Sequence, residues 1–262
     1  MTRIDMTTRE WHDLIKPVIS HASTDKEVPE LGVVRIEPAD SALYVAATDR
    51  YTLAAERWPL PPSDRGRLTG QPVHLAASEV SASLKLFRHS KDEDPQLRIT
   101  IDTASIPISV VGRPSSVNRL AVTIQQEGDG TRLVLHDERD PTRDPLAGWR
   151  KGIHKAMTRP AGRALEGMDL PAWQLSRWAS AARKGERLTV YTGPEPGDPL
   201  LVTVEEHFAG LWAIPQYLDG PGKTLGGLPW RYELEEFADT AGIDLATGER
   251  IDPGADPQDG LL

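Results

Sequence analysis

The same order of elements can be read twice within the first 125 residues, and that repeat restricts the chain to a fold assembled from copies of one unit. Met1 to Met6 reads as a short strand. Thr7 and Glu10 then form a Thr-x-x-Glu capping box, and Trp11, Leu14, Ile15, Val18, Ile19 and Ala22 follow at helical spacing on one face. Pro17 lacks the backbone donor that a helix interior uses, so a kink or an early end is expected near Lys16. Strands are expected over Leu31 to Ile36 and Leu43 to Leu60, the latter broken at a polar corner, Thr48-Asp49-Arg50, in the stretch LYVAATDRYTLAA. Beyond a polar connection over residues 61–71 the order restarts. Pro72 to Leu75 reads as a strand, and Ser78 caps a helix whose apolar side is Val80, Leu84 and Phe87 and which ends near His89. Alternating residues then give strands at Leu97 to Ile101, Ile106 to Val110 and Val117 to Ile124.

A third, partial copy begins at Asp169, with Pro171 in its first turn and Ala172, Leu175, Ala179 and Ala182 on one helix face beside Trp178, up to Gly185. Strands follow at Leu188 to Val190, Leu200 to Val204 and Phe208 to Ile214, and Pro215 stops the last of them. The expected organisation is α+β: a complete two-module domain at 1–125, a linker with local structure at 126–168, a partial domain at 169–218 and an acidic tail at 219–262. Within the linker, Leu133 to Leu135 suits a strand and Trp149 to Met157 a short helix.

Charge matters once a partner is considered. The formal charge is -9, but residues 219–262 hold ten acidic against three basic side chains, so the preceding body is close to neutral and a local basic face is compatible with it. The absence of cysteine removes disulfides, thiolate metal sites and thiol nucleophiles. No run approaches the ~20 apolar residues that span a bilayer. A soluble, cytoplasmic chain with no membrane partner is expected. His136-Asp137-Glu138 reads as a charged loop, Gly222-Lys223-Thr224 lacks the earlier glycine of a phosphate loop, and no nucleophile triad has recognisable spacing, so no enzyme, metal or cofactor is expected.

The corner and the last strand carry a resemblance. Ala47-Thr48-Asp49-Arg50-Tyr51-Thr52-Leu53-Ala54 resembles the Ala-Thr-Asp-Gly-His-Arg-Leu-Ala of the bacterial replicative sliding clamp, the β subunit of DNA polymerase III, and Ile214-Pro215-Gln216-Tyr217-Leu218 resembles that family's terminal Met-Pro-Met-Arg-Leu. The segment LKLFRHSKDEDPQLRI is also similar to the second half of a clamp domain. The resemblance implies a fold of sliding-clamp (processivity-fold) modules, here about one and a half clamp domains. It implies a non-enzymatic, nucleoid-associated processivity or recruitment factor that binds short peptides of DNA polymerase or repair-protein partners in an apolar cleft. Carried over by position, that cleft comprises Leu31, Thr48, Tyr51, Leu53, Trp212, Ile214 and Pro215. Helices in the family face double-stranded DNA, which implies phosphate contacts from Lys16, Lys85, Arg88, Lys91, Arg177, Arg183 and Lys184.

Arg50 replaces the family's glycine, and Thr52 and Tyr217 replace its arginines, so the polar rim of the cleft differs. The family ring contains twelve modules, which implies a homo-oligomer and makes four copies of three modules one way to close it. The alternative is a clamp-like regulator that sequesters such peptides without encircling DNA.

Overall fold

The computed structural model describes residues 2–39, 41–61, 71–110, 113–138, 144–160, 172–195 and 198–213, without side chains at 106–110, 113–115 and 172. The chain runs β1 (Thr2–Thr7), α1 (Thr8–Ile19), β2 (Val33–Pro38), β3 (Ala42–Thr48), β4 (Thr52–Pro59), β5 (Val73–Ala76), α2 (Ala77–Leu86), β6 (Gln96–Val110), β7 (Arg113–Gln126) and β8 (Arg132–His136). It continues with α3 (Trp149–Thr158), α4 (Ala172–Ala179), β9 (Leu188–Tyr191), β10 (Leu200–Val204) and β11 (Phe208–Trp212). A four-stranded sheet has the order β1-β6-β7-β8, and a seven-stranded one has β5-β2-β3-β4-β11-β10-β9. All recorded pairings are antiparallel.

The repeat explains this topology. Each module's three consecutive strands form a meander, and its first strand crosses to pair with the other module, β1 with β6 and β5 with β2. The main core is shared by both sheets and two helices: Trp11, Leu14, Ile15 and Val18 of α1 and Val80 of α2 pack against Val34, Val45 and Leu75 of one sheet and Ile4, Ile99 and Val122 of the other. Trp11 buries its ring completely and donates from Nε1 to Ser83 Oγ at 3.1 Å, tying α1 to α2.

Helix α1 starts where its capping box places it. Glu10 N donates to Thr7 Oγ1 at 3.1 Å, and Thr7 N donates to Glu10 Oε2 at 2.7 Å. Thr7→Ala should lower stability by about 1 kcal/mol in chemical denaturation, because it unsatisfies one donor of the first turn.

Three expectations change. The helix does not end at Lys16 but runs through Pro17 to Ile19, because the proline lies in the last turn, where only one helical bond is forgone and its ring is buried. Ser78 does not cap α2: the helix is preceded by Ala76, which offers no side-chain cap, and ends at Leu86. The two expected strands at 97–101 and 106–110 are a single 15-residue strand, β6, and the third strand of that module is β8. Within residues 126–168, the strand expected at Leu133 to Leu135 is present as β8 and pairs with β7. Asp169, Pro171 and the whole tail 219–262 lie outside the described residues.

Beyond β8, the chain crosses the outer surface of the seven-stranded sheet. Leu146, Trp149 and Ile153 around α3 pack on Ala46 and Ala55, with Leu53 and Leu211 at the margin. Glu37 on β2 anchors this segment by accepting from Arg35 Nε at 2.9 Å, Trp149 Nε1 at 3.1 Å and Arg150 Nε at 2.9 Å. The opposite face of the seam carries α4, whose Trp178 packs with Ala54, Phe208 and Trp212. Ala47 and Ala54 are register partners that face α1 and α4 respectively, so those two helices share a side and α3 lies on the other.

Candidate peptide-binding corner

The corner is held by hydrogen bonds among its own residues. Arg50 takes φ 79°, the left-handed region that a glycine occupies without cost, and the bonds around it hold it there. Thr48 Oγ1 donates to Thr52 O at 2.7 Å and accepts from Arg50 N at 3.2 Å. Asp49 Oδ1 accepts from Tyr51 N at 3.0 Å, Thr52 N at 2.7 Å and Thr52 Oγ1 at 2.9 Å. This is an Asx-type turn extended by a hydroxyl.

Tertiary structure then fixes the corner from the third module. Arg177 of α4 pairs with the remaining Asp49 oxygen, and its guanidinium stacks on Trp173 at 4.7 Å. Burial pushes the Asp49 carboxyl up, but the hydrogen bonds from Arg177 and Thr52 outweigh it and hold it below the ordinary carboxylate range. Strand β11 closes the site: Leu211 pairs with Leu53 and Trp212 with Thr52, and Ala213 N donates to Tyr51 O at 2.7 Å. Trp212 Nε1 donates to Gln174 Oε1 at 2.6 Å, which joins β11 to α4.

The expected cleft residues meet this frame unequally. Thr48, Tyr51 and Leu53 surround the turn, with Tyr51 55% exposed and Leu53 half-buried against the α3 side. Leu31 sits in the 3-10 turn Pro29–Leu31 just before β2 and is buried. Trp212 is only 1% exposed and lies on the α4 face of the sheet, opposite Leu53. Leu31 and Trp212 are therefore both buried here, Trp212 on the face of the sheet opposite Leu53. Ile214 and Pro215 lie outside the described residues.

The cationic candidates also separate. Lys16, Lys85, Arg88, Lys91 and Lys184 are exposed, and Arg88 Nε donates to Lys85 O at 2.8 Å. Arg177 is committed to Asp49, and Arg183 to Glu56 at 3.3 Å and Asp13 at 3.8 Å. Both carry carboxylate partners within the protein, whereas the five other candidates have none among the described residues.

Asp49, Gln174 and Gly210 were not singled out from sequence. A Thr-Asp-x-x-Thr spacing carried the signal for Asp49, since a short acceptor two and three residues before free amides is an Asx turn. Gln174 and Gly210 had no such local sign. Among the described residues no group of three or more histidine or acidic side chains is placed to hold a metal ion, and no helix is long and apolar enough to cross a membrane.

No protein-family model matches the sequence, and no curated protein matches it. Solved structures do. The DNA polymerase sliding clamp of Bacillus subtilis aligns with a TM-score of 0.54 at 14% identity, over 80% of this chain and 63% of the clamp. The DNA polymerase III subunit beta of Pseudomonas aeruginosa aligns with a TM-score of 0.54 at 11% identity, over 92% of this chain and 74% of its own. The DNA polymerase beta subunit of Streptococcus pyogenes gives 0.51 at 14%, over 81% and 65%. The chain thus spans less than two thirds of the length of the Bacillus subtilis and Streptococcus pyogenes proteins, and at these identities what is shared is the fold.

Proposed function

We propose, from the sliding-clamp fold of this chain, that it is a non-catalytic processivity or recruitment factor in DNA replication whose Thr48–Leu53 corner receives a short peptide of a polymerase-like or repair partner. The observation that supports this reading most directly is the seam itself. One antiparallel sheet runs unbroken from the first domain through β4 and β11 into the partial domain, and the corner sits at its open end. Tyr51 offers an exposed ring, Leu53 a half-buried aliphatic side chain, and Thr48 a polar edge, a combination suited to one or two buried peptide anchors. Ile214 and Pro215 complete the proposed groove from the sequence directly after β11. The exposed lysines on α1, α2 and near α4, namely Lys16, Lys85 and Lys184, with Lys91, would contact DNA phosphates without reading bases, and the assembly would be a homo-oligomer in the cytoplasm.

The direct test is titration of a labelled peptide carrying glutamine ahead of paired apolar residues. Tyr51→Ala and Ile214→Ala are each expected to weaken binding roughly 5- to 150-fold, as loss of an aliphatic or aromatic anchor costs about 1–3 kcal/mol. Equal affinity for the wild type and both variants would show that the groove has been misplaced. Solution mass measured in parallel separates a closed oligomer from a monomeric peptide-sequestering regulator.

A further inference from the structure

A second polar constellation lies at the opposite end of the same seam, away from the corner. His207, in the turn between β10 and β11, is flanked on both ring nitrogens by carboxylates: Nδ1 is 2.8 Å from Glu56 Oε1 and Nε2 is 3.1 Å from Glu186 Oε2. Glu56 projects from β4 and is 1% exposed, and its Oε2 has no hydrogen-bond partner among the described residues. The main chain makes the same junction, Arg57 N donating to His207 O at 2.7 Å.

We infer that His207, Glu56 and Glu186 form a proton-dependent latch that holds the β10–β11 hairpin, and with it the partial domain, against β4. The chemistry follows from counting donors. A neutral imidazole has one N–H, whereas this ring faces an acceptor on each side. Both contacts are hydrogen bonds only if the bridge carries one proton beyond the neutral ring, whether it resides on the ring or on Glu56. Removing that proton turns a lone pair toward a carboxylate and leaves Glu56 charged in a site that solvates it poorly.

Charged groups face the bridge from each element packed against it. Helix α1 contributes Glu10 and Asp13, β4 contributes Arg57 beside Glu56, and the segment after α4 contributes Arg183 with Glu186. The turn itself adds the exposed Glu205 and Glu206. Arg183 is bonded to Glu56 and is half exposed, so it offsets only part of the carboxylate charge. A pocket of about 260 Å³ lined by Leu14, Trp58 and these groups adjoins the ring.

The direction with pH is fixed by two shifts of the same sign. The Glu56 carboxylate raises His207 above the ordinary histidine range, so this contribution is complete below about pH 6.5 and is lost as pH rises through the folded value. Burial pushes Glu56 up to about 7, so the folded chain retains a proton that an unfolded one releases near pH ~4.3, and this too favours folding less as pH rises toward 7. Burial lowers His12, His21 and His74, whose titration therefore falls on the acid side of this window.

The test is amide exchange of the full chain between pH 6.5 and 8.5, each rate divided by the intrinsic rate at its pH. Protection of the Arg57 and β11 amides should fall about tenfold across the window in the wild type, the loss of one charge-assisted hydrogen bond. His207→Gln should show no such fall, and Glu56→Gln a much smaller one. The wild-type ring signals of His207 give a readout that requires no variant to fold: they should titrate above the ordinary histidine range. Constant β11 protection in the wild type, an equal fall in His207→Gln, or a His207 ring that titrates at or below the ordinary value would each overturn the latch. Peptide affinity plays no part in these readings, so the outcome is separate from that of the proposed function.

Discussion

Gly210→Val is expected to separate β11 from β4. Gly210 on β11 pairs with Ala54 on β4, and Trp178 lies directly over it. A β-carbon there would come within 2.7 Å of both Trp178 Cη2 and the Leu53 carbonyl oxygen. The carbonyl belongs to the neighbouring strand, and Trp178 is 1% exposed and wedged between Phe208 and Trp212, so neither can yield locally. The sheet must separate at β4–β11, or Trp178 must leave its core. The cost should be about 3 kcal/mol or more, beyond ordinary overpacking, and should lower the unfolding midpoint by roughly 10 °C. Gly148→Ala supplies the control, since nothing lies within 4 Å of its added carbon and its φ of -100° is open to any residue. Scanning calorimetry and the near-ultraviolet dichroism of the Trp178 and Trp212 cluster should report the loss together. A Gly210→Val protein that melts with the wild type would mean that β11 does not run against β4 as described.

Asp49→Ala should have the second largest effect. Its carboxylate accepts three bonds within the turn, and its other oxygen holds Arg177, which is 21% exposed and without another carboxylate partner among the described residues. Alanine would leave two backbone donors unsatisfied and a half-buried guanidinium uncompensated, a loss of about 3 kcal/mol. Asp49→Asn retains much of the turn's hydrogen bonding and loses the charge, so urea denaturation should place it between the wild type and the alanine variant. The pH dependence has the sign opposite to that of the latch. Because Asp49 is held below its ordinary value when folded, its contribution is present above about pH 4 and disappears as pH falls through the folded value. Since Arg50 must occupy a left-handed conformation that the turn imposes, Asp49→Ala should also abolish any binding that depends on Tyr51. An unchanged stability profile in Asp49→Ala would show that the turn is held by the strands alone.

The fold was largely legible because the repeat expresses two simple periods. Helical spacing through Trp11 to Val18 and alternation through Leu97 to Ile101 each bury one face, and burial is what both elements require. The errors came from local signals overridden by position. Pro17 is harmless in a last turn, and the polar residues between Ile101 and Ile106 do not interrupt β6 because its ladder with β7 continues through them. The strand at Leu133 to Leu135 was legible from its alternation, but not its place beside β7, because five residues carry no sign of a partner.

The corner was legible as a corner but not as a site with two faces. Leu53 and Trp212 were both assigned to the cleft, yet a strand sends neighbouring residues to opposite sides, and the register sets Trp212 beside Thr52 and away from Leu53. Arg177 and Arg183 looked like free cations because a sequence shows charge without distance. Their carboxylate partners lie 128 and 127 residues away.

By itself, then, the sequence determined the modules, their order and the polar turn at Thr48 to Thr52, since each rests on interactions among residues a few positions apart. Only the tertiary structure decided that β4 joins β11, that Gly210 must remain without a side chain, that Trp212 is core, and that a histidine in one hairpin bridges Glu56 and Glu186. Those features depend on register and on pairs brought together across 21 to 160 residues, which no local pattern encodes.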